Sequence, residues 1–206
     1  MITVYVLRTE ALDLSSLKCL PFGESERERI EKIKNPTYKA ESLGGLVALW
    51  RALDKRGASL PRTVLRSEGG KPYFDGGDDL PFNVSHSCGI SAAALGDESS
   101  GQIGFDIEVI REETDVSRIA ERFFSDAEMR EFNGADRSYD AFYKLWCAKE
   151  ARAKLDGKGL SACLSGENAD VPVTRLTLEI DNKRVVMAIA ASGSDQQIQI
   201  FTDCEE

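Results

Sequence analysis

An apolar strand pattern that carries two acids is followed, some forty residues later, by the strongest helical pattern of the chain. Residues 101–110 contain Gly104-Phe105-Asp106-Ile107-Glu108, and residues 138–155 contain Glu150 and Lys154. Residues two apart on a strand project from the same face, and residues four apart on a helix also share a face. If the two faces meet, three carboxylates and one ammonium converge in one place.

The residue types at this meeting point predict a metal-dependent site. Carboxylates such as Asp106, Glu108 and Glu150 are the oxygen ligands that suit a hard divalent cation such as Mg²⁺. Mn²⁺ accepts the same ligands and is an alternative. An ammonium binds phosphate oxygens as a point charge, so Lys154 would lie where a substrate phosphate is held. The pattern therefore indicates phosphoryl-type chemistry.

Both halves of this pattern also have a purely structural interpretation. Acids are common on the solvated face of a strand. Glu150 followed by Lys154 has the favoured spacing of a helix-surface ion pair, worth about 0.3–0.5 kcal/mol. Two details favour function. Gly104 would let another group approach the backbone of the strand closely, and Trp146, Glu150 and Lys154 form one stripe from apolar into charged residues.

Composition and charge exclude several classes of protein. The 206 residues are 42% hydrophobic and 30% charged, which suffices for a core without disulfide or metal staples. No apolar run approaches the roughly 18 residues that a membrane span needs. The net charge of −9 argues against nucleic-acid binding, which requires a basic surface. A small anion in a local basic pocket is not excluded.

The cysteines predict a reducing compartment. Five cysteines are scattered along the chain without a C-x-x-C pair, at Cys19, Cys88, Cys147, Cys163 and Cys204. We interpret them as reduced thiols of a cytoplasmic protein. The chain has one histidine and no cysteine cluster with ligand spacing, which argues against structural zinc.

Hydrophobic patterning predicts an α+β fold. Strands are expected at 2–7, 64–66, 82–86, 89–95, 101–110, 175–180, 184–191 and 196–202. Helices are expected at 25–34 with Ser25 as the cap, 36–55, 115–122, 125–132 and 138–155. The element order before residue 100 resembles the order after it. We therefore predict two similar α/β subdomains, residues 1–100 and 101–206, with the site in the cleft between them.

Two further polar segments are ambiguous from sequence. Pro81-Phe82-Asn83-Val84-Ser85-His86-Ser87 ends a strand in small polar side chains, which suits either a hairpin end or a phosphate contact. Gly69-Gly70-Lys71-Pro72 reads as a turn in which only Lys71 would be functional. Glu128 is fully explained by a capping box with Ser125.

Taken in order, five segments resemble the 4′-phosphopantetheinyl transferases of the surfactin-synthetase-activating type. The segments are Gly70–Pro72, Phe82–Ser87, Gly104–Glu108, Phe123–Glu128 and Trp146–Lys154. Each is weak alone, but their joint order is specific. The resemblance implies a monomeric pseudodimer that transfers the phosphopantetheine arm of coenzyme A to a serine of an apo acyl or peptidyl carrier protein. The leaving group would be 3′,5′-ADP. The pathway (fatty-acid, polyketide or nonribosomal-peptide synthesis) stays open.

The resemblance also implies a role for each candidate residue. The metal ligands, which would bind Mg²⁺ together with the pyrophosphate of coenzyme A, are Asp106, Glu108 and Glu150. Lys154, in the C-terminal subdomain, and Ser85, in the N-terminal subdomain, would contact the same phosphates. His86 and Lys71 would hold the 3′-phosphate and adenosine on the N-terminal side. Glu150 is also the candidate base for the carrier serine, directly or through a metal-bound water.

Three other residues match the family's segments with smaller roles. Glu128 would support the geometry of the site. Trp146 and Lys149 would be structural or would act behind the residues that contact the substrate.

One departure from the family concerns the grip on the 3′-phosphate. The family commonly carries an Arg shortly before a Leu-Gly stretch, where this chain reads Lys39-Ala40-Glu41-Ser42-Leu43-Gly44-Gly45. Lys39, Arg27 or Arg29 could substitute for that Arg. Two rival functions remain, a Mg²⁺-dependent phosphohydrolase on a pyrophosphate and an inactive coenzyme A-binding or carrier-binding module.

Overall fold

The described part of the chain contains nine strands, arranged in three sheets, and five α-helices, so the predicted mixed α+β fold is confirmed. The computed structural model describes residues 1–76, 80–157, 168, 170–193 and 197–203. The strands are β1 (Ile2–Arg8), β2 (Val64–Arg66), β3 (Pro72–Phe74), β4 (Phe82–Ser87), β5 (Ile90–Leu95), β6 (Ile103–Val109), β7 (Val173–Ile180), β8 (Lys183–Ala191) and β9 (Ile198–Thr202). The helices are α1 (Gly23–Glu31), α2 (Pro36–Lys55), α3 (Val116–Phe123), α4 (Asp126–Gly134) and α5 (Tyr139–Asp156).

Two larger sheets and one hairpin make up the β structure. The first sheet has the order β4-β5-β1-β9, the second has the order β6-β8-β7, and β2 pairs with β3. All pairings are antiparallel except the one between β1 and β9. The last strand of the chain therefore joins the sheet of the first strand rather than that of β6.

Alternation along the strands divides the core between the sheets and the helices. On β1, Tyr5 and Leu7 pack on the side of α2, whereas Val4 and Val6 pack against the second sheet. On β6, the residues Phe105, Ile107 and Val109 fill the space between the sheets. On β8, the face that points away from the first sheet packs against α5 through Val186, Ala188 and Ala190. The resulting layers are α2, the first sheet, the second sheet and α5.

Local signals explain the ends of the two long helices. Helix α2 begins at Pro36 as predicted, and the Asn35 side chain accepts a hydrogen bond from the Tyr38 N–H at 3.0 Å. Helix α5 is capped by Ser138 and stops at Gly157, which has a φ of 76°. The bounds of both helices lie within one residue of the sequence prediction because these signals are local.

The prediction for the first helix was wrong at its start. Helix α1 begins at Gly23, its N-cap is Phe22, and no side chain caps it, so Ser25 lies inside the helix. Glu24 and Glu26 in the first turn favour this earlier start through the helix dipole.

Strand β3 and three short 3₁₀ helices were not predicted, since short segments carry little periodicity. The 3₁₀ helices are Thr9–Ala11, Leu14–Cys19 and Glu98–Ser100.

The cysteines and the hydropathy of the helices add two facts. Cys19, Cys88 and Cys147 are free thiols, while Cys163 and Cys204 lie outside the described residues. Within the described ranges, no helix combines the length and the hydropathy that crossing a membrane would require.

Gly104 sets the distance between β6 and α5. A Cβ at this position would lie 1.9 Å from the carbonyl oxygen of Ala151 and 2.7 Å from the nitrogen of Leu155. Only a residue without a side chain lets the helix backbone pack this closely on the strand. The expectation that Gly104 allows a close approach is confirmed, and the approaching backbone is that of α5.

We expect Gly104→Ala to displace α5 and to lower the free energy of unfolding by about 2–3 kcal/mol. Urea denaturation measures this loss. The matched control is Gly134→Ala in α4, where the new Cβ meets nothing within 4 Å. The control should be neutral or stabilising by up to about 1 kcal/mol. Equal stability of the two variants would contradict this account of the packing.

Candidate active site

Polar side chains of β4 meet the acids of β6 where the edges of the two sheets face each other. Ser85 donates from its Oγ to Asp106 Oδ1 at 2.8 Å, and Ser87 donates to Glu108 Oε2 at 2.6 Å. Ser87 Oγ also accepts the Val109 N–H at 3.2 Å. Asn83, two residues before Ser85, lies on the same face, because side chains alternate along a strand. This polar face of β4 orients both carboxylates.

Helix α5 contributes Lys154 to the same cluster. Its Nζ lies 2.7 Å from Asp106 Oδ1 and 2.9 Å from Ser85 Oγ. Burial by itself would lower the pKa of Lys154, but the charges of Asp106 and Glu150 outweigh burial and raise it. Lys154 is therefore a fixed cation that pairs across to the strand. The interpretation as a simple surface pair with Glu150 does not account for this contact.

The acids carry more negative charge than the cluster neutralises. Burial, followed by the charge of Asp106, raises the pKa of Glu108 to about 7, although Ser87 and Lys154 oppose the shift. The same two causes raise the pKa of Glu150, against the effect of Lys154. Asp106 itself is only 4% exposed. A bound cation would remove this excess of buried negative charge.

The donor set fits a hard divalent cation, although the ligands are not preassembled around one. Asp106, Glu108 and Glu150 line one cavity of about 390 Å³. Asp106 Oδ2 is buried and has no hydrogen-bond partner in the part of the chain that the structure describes. Among the described residues, no three potential ligands already have the arrangement of a formed metal site. This is expected for like charges that instead turn towards Lys154 and Ser87. The unpartnered oxygen and the all-carboxylate chemistry suit Mg²⁺ or Mn²⁺.

We expect Glu108 to destabilise the metal-free protein increasingly as pH rises, and Glu108→Gln to remove this contribution. The pKa of Glu108 is raised from 4.5 to about 7 by folding, so its carboxyl group binds more protons in the native state within this window. The contribution of Glu108 to stability should then fall as pH rises from about 4.5 to about 7. At higher pH the Gln variant should be more stable by roughly 1–2 kcal/mol.

Urea denaturation in EDTA at about pH 5 and about pH 8 tests this difference. The exposed Glu113 provides the control, because Glu113→Gln should leave the pH slope unchanged. An identical slope in Glu108→Gln and wild type would contradict the expectation.

The cavity continues to a histidine paired with an acid. His86 follows Ser85 on β4 and therefore points to the opposite face, towards α2. Its Nδ1 lies 3.2 Å from Glu41 Oε2, and the edge of its ring meets Tyr38 at a centroid distance of 5.5 Å. Burial lowers the pKa of His86; Glu41 opposes this and Lys154 adds to it. Ser85 and His86 thus line one cavity through different faces of their strand.

A buried carboxylate holds two arginines beside this histidine. Glu26 is 3% exposed and receives Arg66 Nε at 2.7 Å, Arg66 Nη2 at 3.0 Å and Arg29 Nε at 3.0 Å. Burial would raise the pKa of Glu26, but the two guanidinium groups outweigh it and lower the pKa. Arg29 and Arg66 also line the cavity of the acids. This arrangement presents positive charge opposite the metal-binding candidates.

Lys71 lies beside the end of α5. Its Nζ donates to the carbonyl oxygens of Ile103, at 2.9 Å, and Leu155. The ammonium therefore sits at the negative end of α5. Lys71 lines a neighbouring cavity that shares Arg66 and Lys154 with the cavity of the acids. A contact between Lys71 and a phosphate stays a prediction, and would require the ammonium to leave these carbonyls.

The remaining matched residues support α5. Ser125 and Glu128 form the predicted capping box, and Glu128 also lies 3.0 Å from Lys149 Nζ. Trp146 stacks on Phe142 in the core between α3, α4 and α5. The Lys149–Glu128 pair joins α5 to the start of α4, so both residues have structural partners behind the cavity.

The sequence patterns did not identify the residues that orient the site from distant positions in the chain. Ser87, Glu26 and Arg66 were not singled out, and Glu41 was noted only as a departure. The alternation of Asn83, Ser85 and Ser87 was a usable signal for a polar strand face. Nothing local pairs Glu26 with Arg66, which is 40 residues away.

Known proteins share the segments that build this site. The sequence profile of the 4′-phosphopantetheinyl transferase superfamily matches residues 102–197, which include the three acids and Lys154. The 4′-phosphopantetheinyl transferase AcpT of Salmonella typhi is 36% identical over 146 residues, covering 70% of this chain and 72% of that protein. The 4′-phosphopantetheinyl transferase Sfp of Bacillus subtilis (strain 168) is 33% identical over 158 residues, covering 68% of each.

A second relative from Bacillus subtilis, also a 4′-phosphopantetheinyl transferase, is 42% identical over 96 residues, covering 46% of this chain and 41% of that protein. The matches to AcpT and Sfp extend over more than two thirds of both partners, so they reach beyond the acidic segments into the rest of the fold. From this similarity and from the gathering of the acids with Lys154, the chain belongs to the 4′-phosphopantetheinyl transferase superfamily.

Proposed function

We propose that this enzyme transfers the 4′-phosphopantetheine arm of coenzyme A to a serine of an apo acyl or peptidyl carrier protein. The hydroxyl attacks the phosphate that bears the pantetheine arm, the phosphoanhydride bond breaks, and 3′,5′-ADP leaves. The observation that carries the proposal is the cluster of Asp106, Glu108 and Glu150 with Lys154 in one cavity. Family membership supports the same reaction.

Asp106, Glu108 and Glu150 are the proposed ligands of Mg²⁺ or Mn²⁺. When bound, the cation would neutralise charge on the pyrophosphate and act as a Lewis acid and a template. Ser85 and Ser87 hold the first two carboxylates from β4, and a bound cation would draw them together from these contacts. The pKa values of Glu108 and Glu150 are raised because their negative charge is buried beside Asp106, and a bound cation would compensate that charge.

Lys154 is the proposed contact to the transferring phosphate. Its ammonium is fixed by Asp106 and Ser85 on one side, while its side chain is 31% exposed to the cavity. A preorganised cation stabilises the negative charge that develops in the transition state. Ser85 can contact the same phosphate, since its hydroxyl can rotate from Asp106 towards an incoming oxygen.

Glu150 is the proposed base for the carrier serine, acting directly or through a water molecule. Burial and the charge of Asp106 raise its pKa towards the range in which a carboxylate is an effective base. A carboxylate that is fully engaged by a cation is a poor base, so the direct route requires that one oxygen of Glu150 stays available.

The nucleotide end of coenzyme A is proposed to bind at the opposite side of the cavity. His86 and Arg29 would contact the 3′-phosphate, with Arg66 beside them. Glu26 engages Arg29 through Nε, and the two terminal nitrogens of Arg29 have no hydrogen-bond partner among the described residues. In this assignment Arg29 of α1 takes the role of the Arg that the resemblance led us to expect near Glu41.

We also propose that the chain is a pseudodimer of two similar subdomains, residues 1–100 and 101–206. The support is the repeated pairing of a three-stranded antiparallel unit with one long helix, α2 in the first case and α5 in the second. Strand β9 would then belong to the second half in sequence but to the sheet of the first half in space, because it pairs with β1. The cavity, lined from both halves, would lie in the cleft between them.

The transfer reaction is tested by the mass of the carrier. The purified protein is incubated with coenzyme A, Mg²⁺ and an apo acyl carrier protein, and the intact mass of the carrier is measured. We expect a gain equal to one phosphopantetheine arm that requires the divalent cation and disappears in EDTA. Release of 3′,5′-ADP in equal amount completes the balance of the reaction.

The same reaction mixture separates the rival functions. Cleavage of coenzyme A without a gain in carrier mass would indicate a phosphohydrolase. Coenzyme A binding without cleavage, in the presence of several apo carriers, would indicate an inactive binding module. Either result would overturn the proposed transferase activity.

A further inference from the structure

We infer that Glu41 is a positioning residue that fixes the tautomer and the orientation of His86, so that Nε2 is the nitrogen presented to the phosphate of coenzyme A. This inference rests on the proposed function for the identity of the ligand. The inference concerns Glu41, which the resemblance to the family left without a role. An acid at this position can act on a phosphate through the neighbouring histidine.

The contacts of Glu41 fix its carboxylate from both sides. Oε2 lies 3.2 Å from His86 Nδ1, and Oε1 accepts the Gly89 N–H at 3.2 Å. The backbone carbonyl of Glu41 accepts a hydrogen bond from Ser91 Oγ at 3.0 Å. Its side chain is 12% exposed. The carboxylate is therefore anchored to the β4–β5 hairpin and has little freedom to turn towards solvent.

A fixed carboxylate dictates which imidazole nitrogen carries the proton. A carboxylate can only accept, so the contact requires a proton on His86 Nδ1. In the neutral ring Nε2 is then the unprotonated nitrogen. The pKa of His86 is lowered by burial, so the ring is neutral in the ligand-free protein at neutral pH. The Tyr38 ring packs against the imidazole in an edge-to-face contact.

Binding of an anion to this ring is favoured by the acid behind it. A proton shared between Nε2 and a phosphate oxygen gives the ring positive charge, and Glu41 stabilises that charge through Nδ1. The other charged groups that face the cavity are Lys154 and Arg29, with Arg66, and the acids Asp106, Glu108 and Glu150. In metal sites, loss of the carboxylate behind a histidine ligand changes affinity about 10- to 100-fold, and we take the lower end of that range as the guide for an anion.

His86 is the only histidine of the chain, which makes the inference directly measurable. In tag-free protein labelled with ¹⁵N-histidine, long-range ¹H–¹⁵N spectra contain the signals of one imidazole. We expect the ligand-free protein at neutral pH to carry its proton on Nδ1. In Glu41→Gln the proton should move largely to Nε2, which is the position favoured for a free imidazole.

The matched control is Glu28→Gln in the neighbouring helix α1. Glu28 is 56% exposed and pairs with Lys32, outside the cavity. This variant should give the wild-type imidazole spectrum. A proton on Nε2 in the wild-type protein would overturn the inference without any need for a variant, and so would an unchanged spectrum in Glu41→Gln.

Binding measurements test the consequence for the ligand. Glu41→Gln should weaken coenzyme A binding about tenfold and raise KM, with kcat nearly unchanged. Dephospho-coenzyme A, which lacks the 3′-phosphate, should lose less than about twofold. An equal loss for both ligands, or no loss for coenzyme A, would contradict the role of Glu41 in presenting His86 to that phosphate. The NMR result on ligand-free protein is independent of the transfer reaction, so a failed transfer test would leave it standing.

Discussion

Asp106→Asn should reduce phosphopantetheine transfer by about 10³-fold or more while the fold is retained. Asp106 contacts Lys154 and Ser85 through Oδ1, and its buried Oδ2 is the oxygen without a partner. The amide keeps an acceptor for both contacts but removes the charge that a cation and the pyrophosphate require. Carrier mass spectrometry gives the rate, and titration calorimetry with Mg²⁺ and coenzyme A gives the affinity.

Comparison with Asp106→Ala separates chemistry from stability. Alanine removes the carboxylate that contacts the ammonium of Lys154 and leaves a cavity, so it should lower stability by a few kcal/mol, about the range for breaking a buried pair. Asn avoids most of this cost and relieves the repulsion on Glu108 and Glu150. Asp54, exposed on α2, supplies the control Asp54→Asn, which should match wild type in both measurements. A kcat/KM for Asp106→Asn within tenfold of wild type would remove Asp106 from the proposed metal site.

Glu150→Gln should lower turnover by about 10²- to 10³-fold with little change in stability at neutral pH. The carboxylate is half-buried beside Asp106, and both burial and that charge raise its pKa. The amide cannot take a proton from the carrier serine and is a weaker ligand. Because the substitution removes a disfavoured charge, unfolding by urea should show equal or higher stability.

The dependence on metal and pH distinguishes the two roles of Glu150. If it acts as a base, the loss persists at saturating Mg²⁺ and the acidic limb of the pH–rate profile disappears. If it acts as a ligand, a higher concentration of Mg²⁺ restores much of the turnover. Glu121→Gln, exposed and paired with Arg137, is the control and should behave as wild type. Near-normal turnover in Glu150→Gln would remove this residue from the mechanism.

The acidic strand and the helix opposite it were predictable because their signals are local. Alternation in β6 separates Phe105 and Ile107 from Asp106, and the helical period places Glu150 and Lys154 on one face of α5. Gly104 indicated that another group approaches the strand backbone closely, and the packing of α5 confirms this. The resemblance to the family rested on these same short segments.

Other features could not be read from neighbouring residues. Lys71 lies in a matched segment, yet its ammonium donates to Ile103 and Leu155 because the end of α5 lies beside it. Strand β9 has an ordinary strand pattern that does not reveal its partner, and it pairs in parallel with β1. The sequence pattern specified that a strand forms, but not the sheet that it joins.

The sequence by itself determined the longer elements, the faces on which the acids lie and the family of the chain, since periodicity, caps and residue spacing act over a few positions. Tertiary structure alone decided which residues orient those acids and the proposed phosphate contacts. Ser85 reaches Asp106 across 21 positions, Glu26 meets Arg66 across 40, and Glu41 meets Gly89 across 48. Such pairs depend on how the two sheets and α2 pack together, and that packing is set by burial of the whole core rather than by any local signal.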